Sequence, residues 1–313
     1  MEPRERVPDA CLGVWRRTLL TTAGNALVDT STEVRWLQTP SAFGDVRIPQ
    51  PDAGPQPLAG RDAAGLAALA PQWAFAGHTV VTDDNCQWHR EARRRTPFAK
   101  GQEGSTNAPH SAQLDYQPPG GPPDVGRMRW VHSEKVYEDD VDGVEYHEVW
   151  ERLPESKGDA WALRLSSSSA AAEEPQHRPR AGFLLVAGDC FMFVADRVGA
   201  PLAAVAADGA FSETCRLGAA LDALPTLQAK REALSFEASY GRVAPGGDGA
   251  PAWRIELSTL PGRAGAALLP PGAPTTGGVD ALLAWVAAEP GGKLHSGEFA
   301  PPGGWVVERD IVM

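Results

Sequence analysis

The chain has 313 residues, 42% of them hydrophobic, which is enough apolar material for a packed core and argues against a disordered protein. Asp and Glu number 40 against 29 Lys and Arg, and a net charge of −11 disfavours a nucleic-acid partner. There is no apolar run of about 18 residues for a membrane span. The first residues lack the apolar stretch of a signal peptide. The four cysteines are scattered along the chain, which predicts reduced thiols in a cytoplasmic protein.

The composition of the chain favours short strands separated by turns, and the first half shows them clearly. The whole chain has 10 Trp, 33 Gly and 28 Pro, a combination of aromatic and turn residues typical of small antiparallel strands. Residues 63–69 are rich in Ala and Leu and predict one or two helical turns, and residues 92–111 are predicted to be a polar loop insertion. Alternating apolar runs bounded by turn signals predict strands at 12–20, 32–38, 45–48, 73–81, 86–91, 126–131, 133–137 and 144–153.

The second half repeats this character after a polar break at residues 154–159. We place a domain boundary there, with an N-terminal domain at 1–156 and a C-terminal domain at 157–313. The two most apolar runs flank Gly188 and Asp189 and predict a core hairpin. Helices are predicted within 217–232 and at 279–288, and strands at 161–165, 183–187, 190–195, 234–242, 252–257 and 305–312.

Most motifs that carry chemistry are absent from the sequence. It has no nucleophile elbow, no P-loop and no dinucleotide-binding glycine motif. His147 and Glu148 are not followed by the second histidine that a zinc protease needs, and the acidic turn after Glu138 misses the EF-hand spacing. We therefore expect neither a metal nor a cofactor.

The informative pattern lies in the alternation along the N-terminal strands. Several strands place an aromatic side chain and a charged or amide side chain two positions apart, which puts both on one face. A barrel interior that holds a partly polar ligand requires both kinds of residue, and arginines suit a carboxylate or phosphate on it. The predicted ligand-binding residues are Trp36, Gln38, Asp45, Arg47, Trp88, Arg90, Tyr146, Glu148, Trp150 and Arg152.

Three functions remain open on this pattern. The first is non-covalent binding of a small, partly apolar, anionic molecule in the N-terminal barrel. The second is an isomerase-, cyclase- or lyase-type enzyme in the same cavity, with Glu148 or Asp45 as general base. Such a base requires that its carboxylate is not held by a two-point pair with an arginine. The third is a protein-interaction module in which Arg47 and Arg152 pair with Asp45 and Glu148 and fill the barrel.

Several blocks of the sequence also resemble a known group of proteins. They are the segments at residues 36–40, 45–49, 75–77 with 86–90, 115–126, 146–152, 188–192 and 258–261, which together span roughly residues 12 to 270. In this order they resemble the Hri1-like family, a largely uncharacterised group with a calycin-like, two-barrel fold. The resemblance implies an all-β chain of two lipocalin-like antiparallel barrels with a few short helices. It implies no reaction and no catalytic residue.

Overall fold

The computed structural model describes most of the chain. The described residues are 7, 9–22, 27–49, 56–82, 85–93, 110–115, 127–131, 146–167, 181–197, 217–245, 251–288 and 305–309. They form two antiparallel sheets with a few short helices, so the predicted all-β fold class is confirmed.

The first sheet contains nine strands from the first half of the chain. They are β1 (Gly13–Thr22), β2 (Val28–Asp29), β3 (Glu33–Gln38), β4 (Ala42–Ile48), β5 (Trp73–Thr82), β6 (Asn85–Arg93), β7 (His110–Asp115), β8 (Arg127–Val131) and β9 (Tyr146–Arg152). From β3 onward each strand pairs with the next, β1 pairs with β3, and β9 pairs with β1 from Trp15 to Thr22. The pairings thus return to β1, as the connectivity of an up-and-down barrel requires.

The second sheet contains six strands from the second half. They are β10 (Ala160–Ser167), β11 (Ala181–Ala187), β12 (Cys190–Ala195), β13 (Glu237–Pro245), β14 (Pro251–Ser258) and β15 (Trp305–Arg309). Their order is β14-β13-β12-β11-β10-β15, and within the described residues β14 and β15 lie at its two edges. Where a second barrel was predicted, the described residues form a six-stranded sheet with no pairing between its two edges.

In the described part of the chain four α-helices accompany the sheets: α1 (Ala63–Ala67), α2 (Leu217–Ala223), α3 (Leu227–Leu234) and α4 (Gly278–Ala288). Asp62 and Thr226 cap α1 and α3 by accepting hydrogen bonds from the backbone N–H groups of Gly65 and Ala229. The first three helices share one apolar cluster, and α4 packs on one face of the second sheet. Single 3-10 turns occur at Asp9–Cys11, Leu58–Gly60 and Pro154–Ser156. No helix in the described part of the chain is long and apolar enough to cross a membrane.

The predicted core hairpin is present as β11 and β12, and its turn docks on the segment that joins the two sheets. Gly188 has φ of +56°, and a Cβ there would lie 2.5 Å from the carbonyl oxygen of Glu155, so the turn requires glycine. The backbone N–H of Asp189 donates to that same oxygen at 3.0 Å. The polar break predicted as a domain boundary thus runs across the end of this hairpin.

The predicted insertion at residues 92–111 is shorter at both ends than we expected. β6 continues to Arg93, and β7 begins at His110 and pairs with β6. Residues 94–109 lie outside the described part of the chain.

The two sheets pack face to face through an apolar core. Val14, Leu37, Val46, Ile48 and neighbouring small residues of the first sheet meet side chains of β10 to β13, among them Phe183, Leu185 and Met192. Gly44 permits the closest approach, since a Cβ at this position would lie 2.7 Å from the Sδ of Met192. Because side chains alternate along a strand, this contact leaves Trp36, Asp45 and Arg47 on the opposite face.

Candidate functional site

The face opposite the sheet contact gathers aromatic and charged side chains from five strands. We call it the interior face and define it by Trp15, Arg17, Trp36, Asp45, Arg47, Phe75, Glu148 and Trp150. The strand register explains part of the grouping, because Trp36 lies opposite Trp15 on one side and opposite Asp45 on the other. Asp45 in turn lies opposite Phe75 of β5.

The three tryptophans of the interior face cluster with a fourth, Trp88 of β6. The ring centroid of Trp36 lies 6.3 Å from that of Trp15, 6.0 Å from Trp88 and 6.1 Å from Trp150. Trp36 belongs to β3 and Trp88 to β6, with two strands between them, so these rings meet only because the sheet curls around this face. Aromatic pairs of this kind each contribute about 0.5–1.5 kcal/mol beyond their buried area.

Beside the tryptophans lies a network of buried charges. Arg47 donates from Nε to Oδ1 of Asp45 at 2.8 Å and from Nη2 to Oδ2 at 3.2 Å, which is a two-point pair. Its Nη1 lies 3.5 Å from Oε1 of Glu148, and the same oxygen accepts from Nη1 of Arg17 at 3.0 Å. Arg17 also donates from Nη2 to Oδ2 of Asp29 at 2.5 Å. The network therefore links β1, β2, β4 and β9.

Aromatic rings hold the guanidinium of Arg47 in place. Its Cζ lies 4.8 Å from the ring centroid of Trp73 and 5.6 Å from that of Phe75. A cation over an aromatic face is stabilised by about 0.5–2 kcal/mol, more when it is desolvated. Arg47 is thus fixed by two carboxylates and two rings.

Two carboxyl groups of the network have shifted pKa values in opposite directions. Burial raises the pKa of Asp45, and nearby Glu148 adds to the rise, while the guanidinium of Arg47 opposes it. Burial also acts to raise the pKa of Asp29, but hydrogen bonds from Thr32 and Ser31 and the charge of Arg17 outweigh it and lower that pKa to about 2. The pKa of Asp45 is thus shifted toward the neutral form and that of Asp29 toward the ionised form.

One polar group on the interior face has no hydrogen-bond partner among the described residues. Trp150 is only 3% exposed, and within the described residues no atom accepts a hydrogen bond from its indole Nε1. Trp15, by contrast, donates from its Nε1 to the backbone oxygen of Cys11 at 2.9 Å. A buried donor without an acceptor costs about 1–3 kcal/mol. The N–H of Trp150 therefore offers a binding position for an oxygen acceptor.

The other predicted site residues have different surroundings. The amide nitrogen of Gln38 donates to the carbonyl oxygens of Thr39 and Ala42, and its amide oxygen accepts from Thr79. The side chain of Gln38 therefore stabilises the turn between β3 and β4. Arg152 donates to the backbone oxygen of Leu12 at 3.3 Å and lies with its Cζ 5.8 Å from the ring of Trp15.

For two predicted residues only the backbone position is described. Arg90 lies in β6 opposite Gly77, and Tyr146 lies in β9 opposite Thr22. Their side chains are outside the described part of the structure, so their roles as ligand-binding residues stay predictions.

The sequence analysis missed Arg17, which is 7% exposed and central to the network. A signal for it was present: Trp15 and Arg17 show the same aromatic-to-charged spacing of two that marked the other strands. Asp29 had no such signal, because its strand is two residues long. Within the described residues no group of three or more His, Cys, Asp or Glu side chains is arranged to hold a metal ion.

Comparison with known proteins adds little about function. The sequence matches no protein-family model and no curated protein. Its structure is similar to that of the uncharacterised protein YLR301w from Saccharomyces cerevisiae, with 11% identity over 79% of this chain and 84% of that one, and a TM-score of 0.43. A likeness of this level carries no conclusion about function.

Proposed function

We propose that the interior face of the first sheet binds a small, partly apolar molecule with an anionic oxygen group. The observation that carries this proposal is the buried N–H of Trp150, which has no acceptor among the described residues and lies within a cluster of tryptophans. Rings and a few convergent polar groups are typical of small-molecule sites. That the chain is a Hri1-like protein and that it is cytoplasmic are also proposals. Neither of them implies a reaction.

The residues of the proposed site have different roles in binding. Trp36 and Trp88 supply apolar walls, and the indole N–H of Trp150 donates to an oxygen of the ligand. Arg47 on the same face already contacts two carboxylates, and charged donors of this kind form the stronger hydrogen bonds.

An enzyme that uses Asp45 as its general base fits the geometry less well. A base of this kind must be free to accept the substrate's proton, but both oxygens of Asp45 accept from Arg47. The filled-barrel alternative is supported by the same charge pairs and competes directly with ligand binding.

Native mass spectrometry tests whether the purified protein carries a small molecule. We expect an excess mass that is released on denaturation. Titration with 11-(dansylamino)undecanoic acid tests the site directly, since its apolar chain and carboxylate match the proposed chemistry and tryptophan emission overlaps dansyl absorption. Absence of both a bound mass and dansyl binding would favour the filled barrel.

Two matched variants test whether the indole N–H of Trp150 donates to the ligand. Trp150→Phe keeps an aromatic ring and removes that N–H, and we expect dansyl-acid affinity to fall by about 10- to 100-fold. Trp15→Phe makes the same change in size but leaves the carbonyl of Cys11 without its donor. Trp15→Phe should therefore lose about 1–3 kcal/mol more unfolding free energy than Trp150→Phe, but less affinity for the probe, because the N–H of Trp15 already has its acceptor. Equal affinity in both variants would remove Trp150 from the site.

A further inference from the structure

Arg47 is shared between carboxylates of two strands. Asp45 of its own strand occupies Nε and Nη2, and Glu148 of β9 lies 3.5 Å from Nη1. The ring of Trp73 lies 4.8 Å from its Cζ. A ligand carboxylate that reaches Arg47 therefore arrives beside two protein carboxyl groups.

Asp45 depends on few charges for the stability of its ionised form. It is 3% exposed, and the charged groups acting on it are Arg47 of β4, Glu148 of β9 and Arg17 of β1. Its register neighbours on the flanking strands are Trp36 and Phe75, which carry no charge. Burial raises the pKa of Asp45, so the neutral form is already favoured relative to an exposed aspartate.

A ligand carboxylate beside Asp45 and Glu148 shifts Asp45 further toward its neutral form. Its negative charge competes for Arg47 and repels the ionised form of Asp45 in a place that water reaches poorly. A proton on Asp45 removes the repulsion and turns its carboxyl group into a donor for a ligand oxygen. No covalent bond changes: the proton comes from solvent and returns there when the ligand leaves.

We propose that the ligand class is a carboxylic acid, and that its anion is taken up together with one proton held by Asp45. This inference rests on the proposed function, because it concerns the same interior face. It predicts that an acidic ligand and its neutral ester respond differently to pH.

The test compares 11-(dansylamino)undecanoic acid with its methyl ester between pH 6 and pH 9, where the acid stays ionised. Affinity for the acid should fall as the pH rises, by up to tenfold per unit, and affinity for the ester should stay constant. Calorimetry in phosphate and in Tris, which differ in ionisation enthalpy, should show uptake of up to one proton with the acid and none with the ester.

Two variants complete the design. Asp45→Asn mimics the neutral carboxyl group and should bind the acid with affinity that no longer changes with pH. The control is Glu151→Gln: Glu151 lies three positions after Glu148 on β9 and therefore on the opposite face, so this variant should keep the wild-type pH profile. Calorimetry of the wild type decides the question even where Asp45→Asn folds poorly.

The possible results separate the two proposals. If the acid binds with the same affinity at every pH and without proton uptake, proton-coupled binding is overturned and ligand binding stands. If neither the acid nor the ester binds at any pH, the proposed function itself fails.

Discussion

The two faces of β3, β4 and β5 differ sharply in the side chains they carry. One face presents Leu37, Val46 and Ala74 to the second sheet, within a cluster of buried apolar side chains. The other face presents Trp36, Asp45 and Arg47 to the interior of the first sheet. The same seven-residue strand, β4, thus contributes both to an apolar interface and to a buried ion network.

This difference shows that two kinds of core can share one set of strands. The interface is stabilised by buried apolar area, at about 25 cal/mol per Å². The interior face buries charges whose desolvation is costly and whose pairing adds little net stability. The interior face is therefore a better candidate for function than the interface behind it, because buried charged groups with shifted pKa values cluster at functional sites.

The largest expected effect concerns the interior face. Glu148→Ala removes the carboxylate that bridges Arg17 and Arg47, and leaving a buried cation short of its partner should cost about 3–5 kcal/mol of unfolding free energy. Urea unfolding measures it. The control, Glu151→Ala, changes a half-buried residue on the other face and should cost about 1 kcal/mol or less. A loss for Glu148→Ala as small as that of its control would show that the network does not contribute to stability.

A second experiment sharpens the description of the interface. Met192 is fully buried against Gly44, and Met192→Ala should cost about 2–5 kcal/mol. Gly44→Ala places a methyl group where the Sδ of Met192 lies and should cost about 1–3 kcal/mol by itself. In the double variant the methyl group occupies part of the space that Met192 vacates, so the combined loss should be smaller than the sum. Strict additivity would contradict the close contact between the sheets.

The smallest effect lies where the network reaches β2. The folded-state pKa of Asp29, about 2, is below its ordinary value of 3.8, so its contribution is present above about pH 4 and lost as the pH falls toward 2. The wild type should be more stable than Asp29→Asn by about 1 kcal/mol at pH 5, the scale of a partly exposed ion pair, and the difference should shrink at pH 2.5. Denaturant unfolding at both pH values measures it, with Asp159→Asn as an exposed control. A stability difference that does not change with pH would show that Asp29 does not act through its negative charge.

Much of the local structure was predictable from the sequence. The hairpin around Gly188 and Asp189 and the helix near Asp280 lie close to where the pattern predicted them, because turn residues and periodicity are local properties. Alternation also predicted that Asp45 and Arg47 share a face, and likewise Glu148 and Trp150. These pairings depend only on the period of a strand.

Tertiary structure alone decided which face of each strand is the interior one. Alternation is symmetric: it states that Arg47 and Val46 point in opposite directions but not which of them meets the second sheet. The contact of Gly44 with Met192 settles this, and it joins residues far apart in sequence. The inclusion of Arg17 and Asp29 in the network, and the absence of an acceptor for Trp150 among the described residues, likewise follow from strand pairings between distant segments. The amino-acid sequence by itself therefore determined most of the elements and which residues share a face of each strand, whereas the packing of distant strands determined which face became a candidate site.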